Sequence, residues 1–195
     1  MKTAILAILV LAFVCCARAQ QNFPGPCPDV KVKPNFSLKS YLGIWYEYAK
    51  YLVYFESNRK CIQGEYTLQA DGNLGVKNSG VNALTNVTSS TSGYAIPVEN
   101  AKLKVIFPIS RPTNASSNYW ILDTDYTNYS VVYNCVPQAN GTHHAFAWIL
   151  LRKRTGTAES IINTAKQVFI KNNVSTAELV RSNQFPECEK FFVNQ

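Results

Sequence analysis

Methionine occurs once, at position 1, and histidine twice, as the adjacent pair His143-His144. The first scarcity removes sacrificial methionine oxidation from the chemistry open to this chain. The second leaves little for metal binding, because adjacent residues on a strand point to opposite faces and do not share one ion. No two cysteines have C-x-x-C spacing, which argues against a zinc site as well. The formal charge is +7, but apart from Arg152-Lys153-Arg154 the basic residues are scattered, so no nucleic-acid groove is expected. No apolar run is long enough to span a bilayer comfortably, and no hydrophobic tail of the kind a GPI signal needs ends the chain. Repeats, low-complexity tracts and interdomain linkers are missing too, which points to one domain.

What is present begins with a leader. Lys2, the apolar run 5–16 and the small-x-small site Ala17-Arg18-Ala19 lay out a secretory signal peptide over residues 1–19. Residues 20–195 are then a single domain, secreted and extracellular. Cys15 and Cys16 leave with the leader, and Cys27, Cys61, Cys135 and Cys188 remain. An even count in a secreted chain favours two disulfides, for which the sequence allows three connectivities. Six Asn-x-Ser/Thr sequons invite glycosylation. Asn86, Asn114 and Asn140 are the stronger acceptors and Asn35, Asn128 and Asn173 the weaker.

From residue 43 to 152 the chain alternates short apolar–polar runs with turn signals, predicting strands at 44–52, 60–69, 73–80, 89–96, 101–107, 118–123, 129–136 and 144–151. Asp71-Gly72 and Asn140-Gly141 mark hairpins. Eight antiparallel strands joined in sequence predict an all-β, up-and-down barrel, either filled by its own side chains or hollow enough for one small ligand. The period then changes. Ile161, Ile162, Ala165, Val168 and Phe169 share one helical stripe between 158 and 172, with Thr157 as N-cap and Asn172-Asn173 as stop. This C-terminal helix must lie outside the barrel. Its expected seat is the face of the last strand that carries Ala145, Ala147, Ile149 and Leu151. The aromatic face, Phe146, Trp148 and Leu150, is left for the interior. A short strand within 178–181 is expected to follow.

Three separated segments carry a family resemblance: Gly43-Ile44-Trp45-Tyr46, Thr124-Asp125-Tyr126, and Arg152 after Phe146-Ala147-Trp148-Ile149-Leu150-Leu151. In order and content they resemble the lipocalins. Trp45-Tyr46-Glu47, Arg59-Lys60-Cys61-Ile62-Gln63 and Tyr119-Trp120-Ile121-Leu122 are similar to the apolipoprotein D-like branch, close to the insect Lazarillo and bilin-binding lipocalins. The resemblance implies that Gly43, Trp45, Thr124, Asp125, Tyr126 and Arg152 form the barrel floor, the guanidinium capping the indole. It also implies the pairing Cys27–Cys135 and Cys61–Cys188, and a hollow interior with ligand residues at Tyr66, Asn78, Tyr119 and Trp148.

Strand parity adds Val76, Ile121, Tyr133 and Phe146 to the inward set, which reads as apolar, with phenols, one amide and hardly any charge. Tyr51, Val53, Tyr54 and Phe55 are expected chiefly to close their loop over the mouth. The function expected is reversible, non-covalent carriage of one small hydrophobic ligand, a fatty acid or other lipid, a steroid, or a biliverdin-like tetrapyrrole. The resemblance further implies a lipid-protective role in oxidative stress and a cell-surface receptor or lipoprotein as partner. The polar turn 136–142 argues against tight lipoprotein attachment. No cofactor or metal is required, and the protein acts as a monomer. A protein-binding or inhibitory barrel is the alternative. An enzyme is disfavoured, because no free thiol, carboxylate pair or Ser-His-Asp set can be placed inside.

Overall fold

Ten strands hydrogen-bond into one antiparallel sheet, and an additional pairing between the second and the ninth strand of the sheet order closes eight of them into a barrel. The computed structural model describes residues 22–108 and 116–193. The expected leader 1–19 and the sequon at Asn114 lie outside the described residues. The elements are β1 (Asn22–Pro24), α1 (Leu38–Tyr41), β2 (Gly43–Lys50), β3 (Arg59–Leu68), β4 (Leu74–Asn82), β5 (Thr88–Glu99), β6 (Lys102–Ile106), β7 (Ser117–Thr124), β8 (Tyr129–Pro137), β9 (Thr142–Leu151), α2 (Glu159–Lys171) and β10 (Val180–Arg181). Sequential neighbours pair from β2 to β9, and β9 returns to β2 to close the ring. β1 pairs with β9, and β10 with β2. All eight expected barrel strands are present, displaced by no more than a few residues. Gly72 and Gly141, at φ +83 and +76, supply the left-handed turn positions that Asp71-Gly72 and Asn140-Gly141 signalled.

α2 lies outside, on the side of the sheet to which the alanines of β9 point, but its closest neighbours are β8 and β7 rather than β9. Ile162, Ala165 and Phe169 are buried in one cluster with Ala145, Ala147, Ile149 and Leu151. Each large helix side chain buried there gains about 1.5–3 kcal/mol. The N-cap is Ala158 rather than Thr157, with no side-chain cap, and both Ile161 N and Ile162 N donate to Ala158 O. Asn172 ends the helix as expected; its Nδ2 donates to Val168 O and its Oδ1 accepts from Lys31 N. The disulfides are Cys27–Cys135 and Cys61–Cys188, closing spans of 108 and 127 residues. In the chain-entropy treatment, loops this long contribute roughly 4–5 kcal/mol each.

One inward assignment is overturned. In the β8–β9 register Tyr133 opposes Ala147, whereas Val132 opposes Trp148 and Asn134 opposes Phe146. Opposed residues of an antiparallel pair share a face. Tyr133 therefore lies outside, under α2, in the cluster with Tyr129, Val131 and Cys135. Ser130, Val132 and Asn134 take the inner face.

Candidate functional site

The floor is built first. Tyr41, Trp45, Leu74, Leu103, Ile121 and Val132 are almost wholly buried in an interior cluster at one end of the barrel. Arg152 seals it from below, its Cζ 3.7 Å from the centre of the Trp45 ring. Its guanidinium donates to Tyr126 O and Ile44 O, each at 2.9 Å, and to Ser40 O and Tyr41 O at 3.2 and 3.3 Å. Gly43, at φ +94, gives the backbone room beside that group, since a Cβ there would meet Arg152 Nη1 at 3.4 Å. Asp125 braces the adjoining turn by accepting from the backbone N–H of Thr127, Asn128 and Tyr129. Thr124 Oγ1 donates to Tyr129 O and accepts from Tyr126 N. All six expected floor residues come together.

Above the floor the phenols meet. Tyr119 Oη lies 2.8 Å from Tyr66 Oη and 3.2 Å from Tyr41 Oη, and Tyr41 Oη lies 2.9 Å from Ser130 Oγ. Burial pushes Tyr41 up to about 12 and raises Tyr66 and Tyr119 as well, so all three stay protonated. Four hydroxyls sharing three contacts leave one O–H at an end of the chain to donate elsewhere.

Toward the mouth the lining thins. Val76 and Ile121 are buried, but Tyr119, Phe146 and Trp148 keep partial exposure and Asn78 is exposed, although register with Gly64 turns it to the inner face with Val76. Phe146 and Trp148 stack with ring centres 6.2 Å apart. The interior is thus closed below, while its lining toward the mouth keeps solvent access. The lip differs from expectation. Tyr51 and Val53 are buried, whereas Tyr54 is 58% and Phe55 52% exposed, beside an exposed Leu52. Ala83 N donates to Asn58 O, joining this loop to the 83–87 turn, where Leu84 and Val87 are also exposed.

The inner wall also carries charge, against expectation. Glu47 opposes Leu150 and Lys50 opposes Trp148, which turns both inward. Lys50 Nζ lies 2.8 Å from Glu47 Oε1 and 2.6 Å from Glu56 Oε2. Ser182 Oγ donates to Glu47 Oε1. Sequence reasoning missed this triad, Tyr41 and Asn134. The alternation along Glu47-Tyr48-Ala49-Lys50 is interrupted by a register shift between Glu47 and Ala49, and α1 is too short to show a helical period. Among the described residues no group of three or more His, Cys, Asp or Glu could hold a metal ion. No described helix is long and apolar enough to cross a membrane.

Residues 36–180 match the family described as lipocalin-like domain. The chain is a lipocalin. This lipocalin is 35% identical to apolipoprotein D of Macaca fascicularis over 195 residues, covering 98% of this chain and 100% of that one. It is 32% identical to the bilin-binding protein of Pieris brassicae over 156 residues, 78% of this chain and 81% of that one. Among solved structures, insecticyanin from Manduca sexta superposes with a TM-score of 0.73 at 27% identity, covering 86% of this chain and 90% of that one. The disulfide pairing is thus the one the family resemblance implied.

Proposed function

We propose that this protein is a secreted extracellular carrier that holds one small hydrophobic ligand reversibly inside the barrel. The observation that carries the reading is the gradient of filling, sealed at Trp45 and Arg152 but open around Asn78, Phe146 and Trp148. Apolar walls with a few phenols and amides are how small-molecule pockets are built. Burying ligand surface there supplies about 25 cal/mol per Å² before the costs of association. A fatty acid or related lipid, a steroid, or a linear tetrapyrrole fits that chemistry, and a relative's name speaks of bilin binding. The ligand is cargo rather than a cofactor. All four cysteines among the described residues are paired, which supports binding over thiol catalysis; a role in lipid protection would follow from sequestering the ligand. The exposed Leu52, Tyr54, Phe55, Leu84 and Val87 around the mouth favour a second contact, with a lipid or lipoprotein surface from which the ligand is taken.

Intrinsic fluorescence tests the reading. Trp45 is sealed beneath Arg152 and Trp120 packs on the outer cluster, so Trp148 is the indole that a bound ligand would touch. Stearate, retinol or biliverdin is expected to quench saturably in the wild type, and Trp148→Phe to abolish most of the change. Absence of quenching by all three would overturn the carrier reading.

The sequons Asn35, Asn86, Asn140 and Asn173 are exposed. Asn128 instead donates its Nδ2 to Asp125 Oδ2 at 2.7 Å within the floor turn. Glycopeptide mapping of secreted protein is expected to find glycans at Asn86 and Asn140 and none at Asn128. A fully occupied Asn128 would contradict the role given to that turn.

A further inference from the structure

We propose that the upper barrel holds a polar subsite, formed by Asn134 and His144, for a neutral hydrogen-bond donor of the ligand: a hydroxyl, or a pyrrole or lactam N–H. The proposal rests on the carrier reading and adds which polar group the cargo must bring. Asn134 is 6% exposed, and its Oδ1 is buried with no partner. His144 Nδ1 is also buried and unpartnered. Such atoms are rare in folded proteins, because each gives up water without a replacement. Here both belong to one wall. Asn134 opposes Phe146, and Val136 opposes His144, so the two are diagonal neighbours within about 7–8 Å on the face that carries the Phe146–Trp148 stack. Its partner histidine is spent differently: His143 is buried on the other face, with Nδ1 2.9 Å from Gly25 O.

Neighbouring charge selects the ligand group. β2 adjoins β9, and its inner side presents Glu47 and Lys50, joined by Glu56, two carboxylates to one ammonium. Lys50 is already within ion-pair distance of both, so this wall has no spare cation for a ligand carboxylate. Asn134 Oδ1 is an acceptor and His144 Nδ1 is one when the ring carries its proton on Nε2, and with no free cation beside them a ligand donor is favoured over an anion. A hydroxylated lipid and a tetrapyrrole both bring one, and both can lay an apolar body against Phe146 and Trp148.

The test uses the disulfide-bonded secreted chain and reads quenching of Trp148. One arm titrates stearate against monohydroxystearates with the hydroxyl moved along the chain. The carboxylate is common to the pair and cancels from the ratio. The other arm titrates biliverdin. The wild type is expected to prefer one hydroxystearate over stearate, or to bind biliverdin, with an advantage of about five- to tenfold that Asn134→Leu and His144→Phe each erase. The arm in which the advantage disappears identifies the source of the donor. Because His144 is only partly buried, its variant reports even if Asn134→Leu folds poorly. Ligands that bind with the same ratio in wild type and variants would overturn the subsite while leaving the carrier intact. Failure of every ligand to quench would remove both.

Discussion

Replacing Lys50 with methionine is expected to lower stability by about 3–5 kcal/mol near pH 8, the largest single loss available on the inner wall. Lys50 is 8% exposed and lies between two carboxylates that are themselves nearly buried. Burial alone would depress its pKa, but Glu47 and Glu56 outweigh that and leave it raised. Glu56 is raised to about 8, first by burial and then by the charge of Glu47. Removing the ammonium leaves two carboxylates facing one another with nothing between them. The sign of the pH dependence follows from Glu56. Its folded pKa stands above its ordinary value near 4.5, so the folded state binds the extra proton between those limits. The stability this contributes is full below about 4.5 and is lost as pH rises through about 8. Urea unfolding between pH 5 and 9 is expected to show wild-type stability falling with rising pH, more steeply in Lys50→Met, and less steeply in Glu56→Gln. Asp125, whose hydrogen bonds from Asn128, Tyr129 and Thr127 outweigh its burial and lower its pKa, acts only at acid pH and in the opposite direction. A gap between wild type and Lys50→Met that is below 1 kcal/mol, or that does not change with pH, would refute this account.

The same wall explains what could and could not be read from the sequence. Strand positions were legible because turn residues such as Asp71-Gly72 and Asn140-Gly141 separate runs whose alternation has a clear phase. On β9 the small alanines and the large aromatics occupy opposite faces, so the side of the sheet that α2 covers and the inward direction of Trp148 followed directly, whereas its position over β8 and β7 did not. β8 offers no such phase. Val131, Val132, Tyr133, Asn134 and Cys135 are all buried, because α2 covers one face and the barrel interior the other, and alternation disappears when both faces are apolar. Tyr133 was drawn inward by its chemistry. Cys135 could have corrected it, since a disulfide to Cys27 on the outer arm turns Cys135 outward and Tyr133 with it. Tyr41 and the Glu47–Lys50–Glu56 triad depend on one helical turn and one bulge, and such local irregularities leave no periodic trace. At the lip, the sequence Tyr51 to Phe55 gives aromatic content without direction. The split into buried Tyr51, whose hydroxyl donates to Ser175 O, and exposed Tyr54 and Phe55 comes from tertiary packing.

Arg152→Ala is expected to cost about 3–5 kcal/mol, and Arg152→Lys to recover less than half of that loss. The guanidinium donates to four carbonyl oxygens drawn from three parts of the chain, α1, the start of β2 and the Tyr126 turn. Hydrogen bonds to a charged group contribute about 1.5–3 kcal/mol each when taken singly and do not sum fully, while the stack on Trp45 adds about 0.5–2 kcal/mol. Lysine keeps the charge but offers one compact ammonium in place of a planar fork, so it cannot reach Tyr126 O and Ile44 O together. The loss should extend into the cavity. Trp45 Nε1 donates to Tyr41 O at 2.9 Å, and Tyr41 Oη anchors the Tyr119 and Ser130 hydroxyls above it. Freed from Arg152, the indole and that phenol would rearrange together, and ligand affinity read at Trp148 should fall even where the variant remains folded. Urea melts paired with ligand titration separate the two effects. If Arg152→Lys matches the wild type in both, simple charge accounts for the floor; if Arg152→Ala weakens the fold but not binding, the hydroxyl chain is independent of its base.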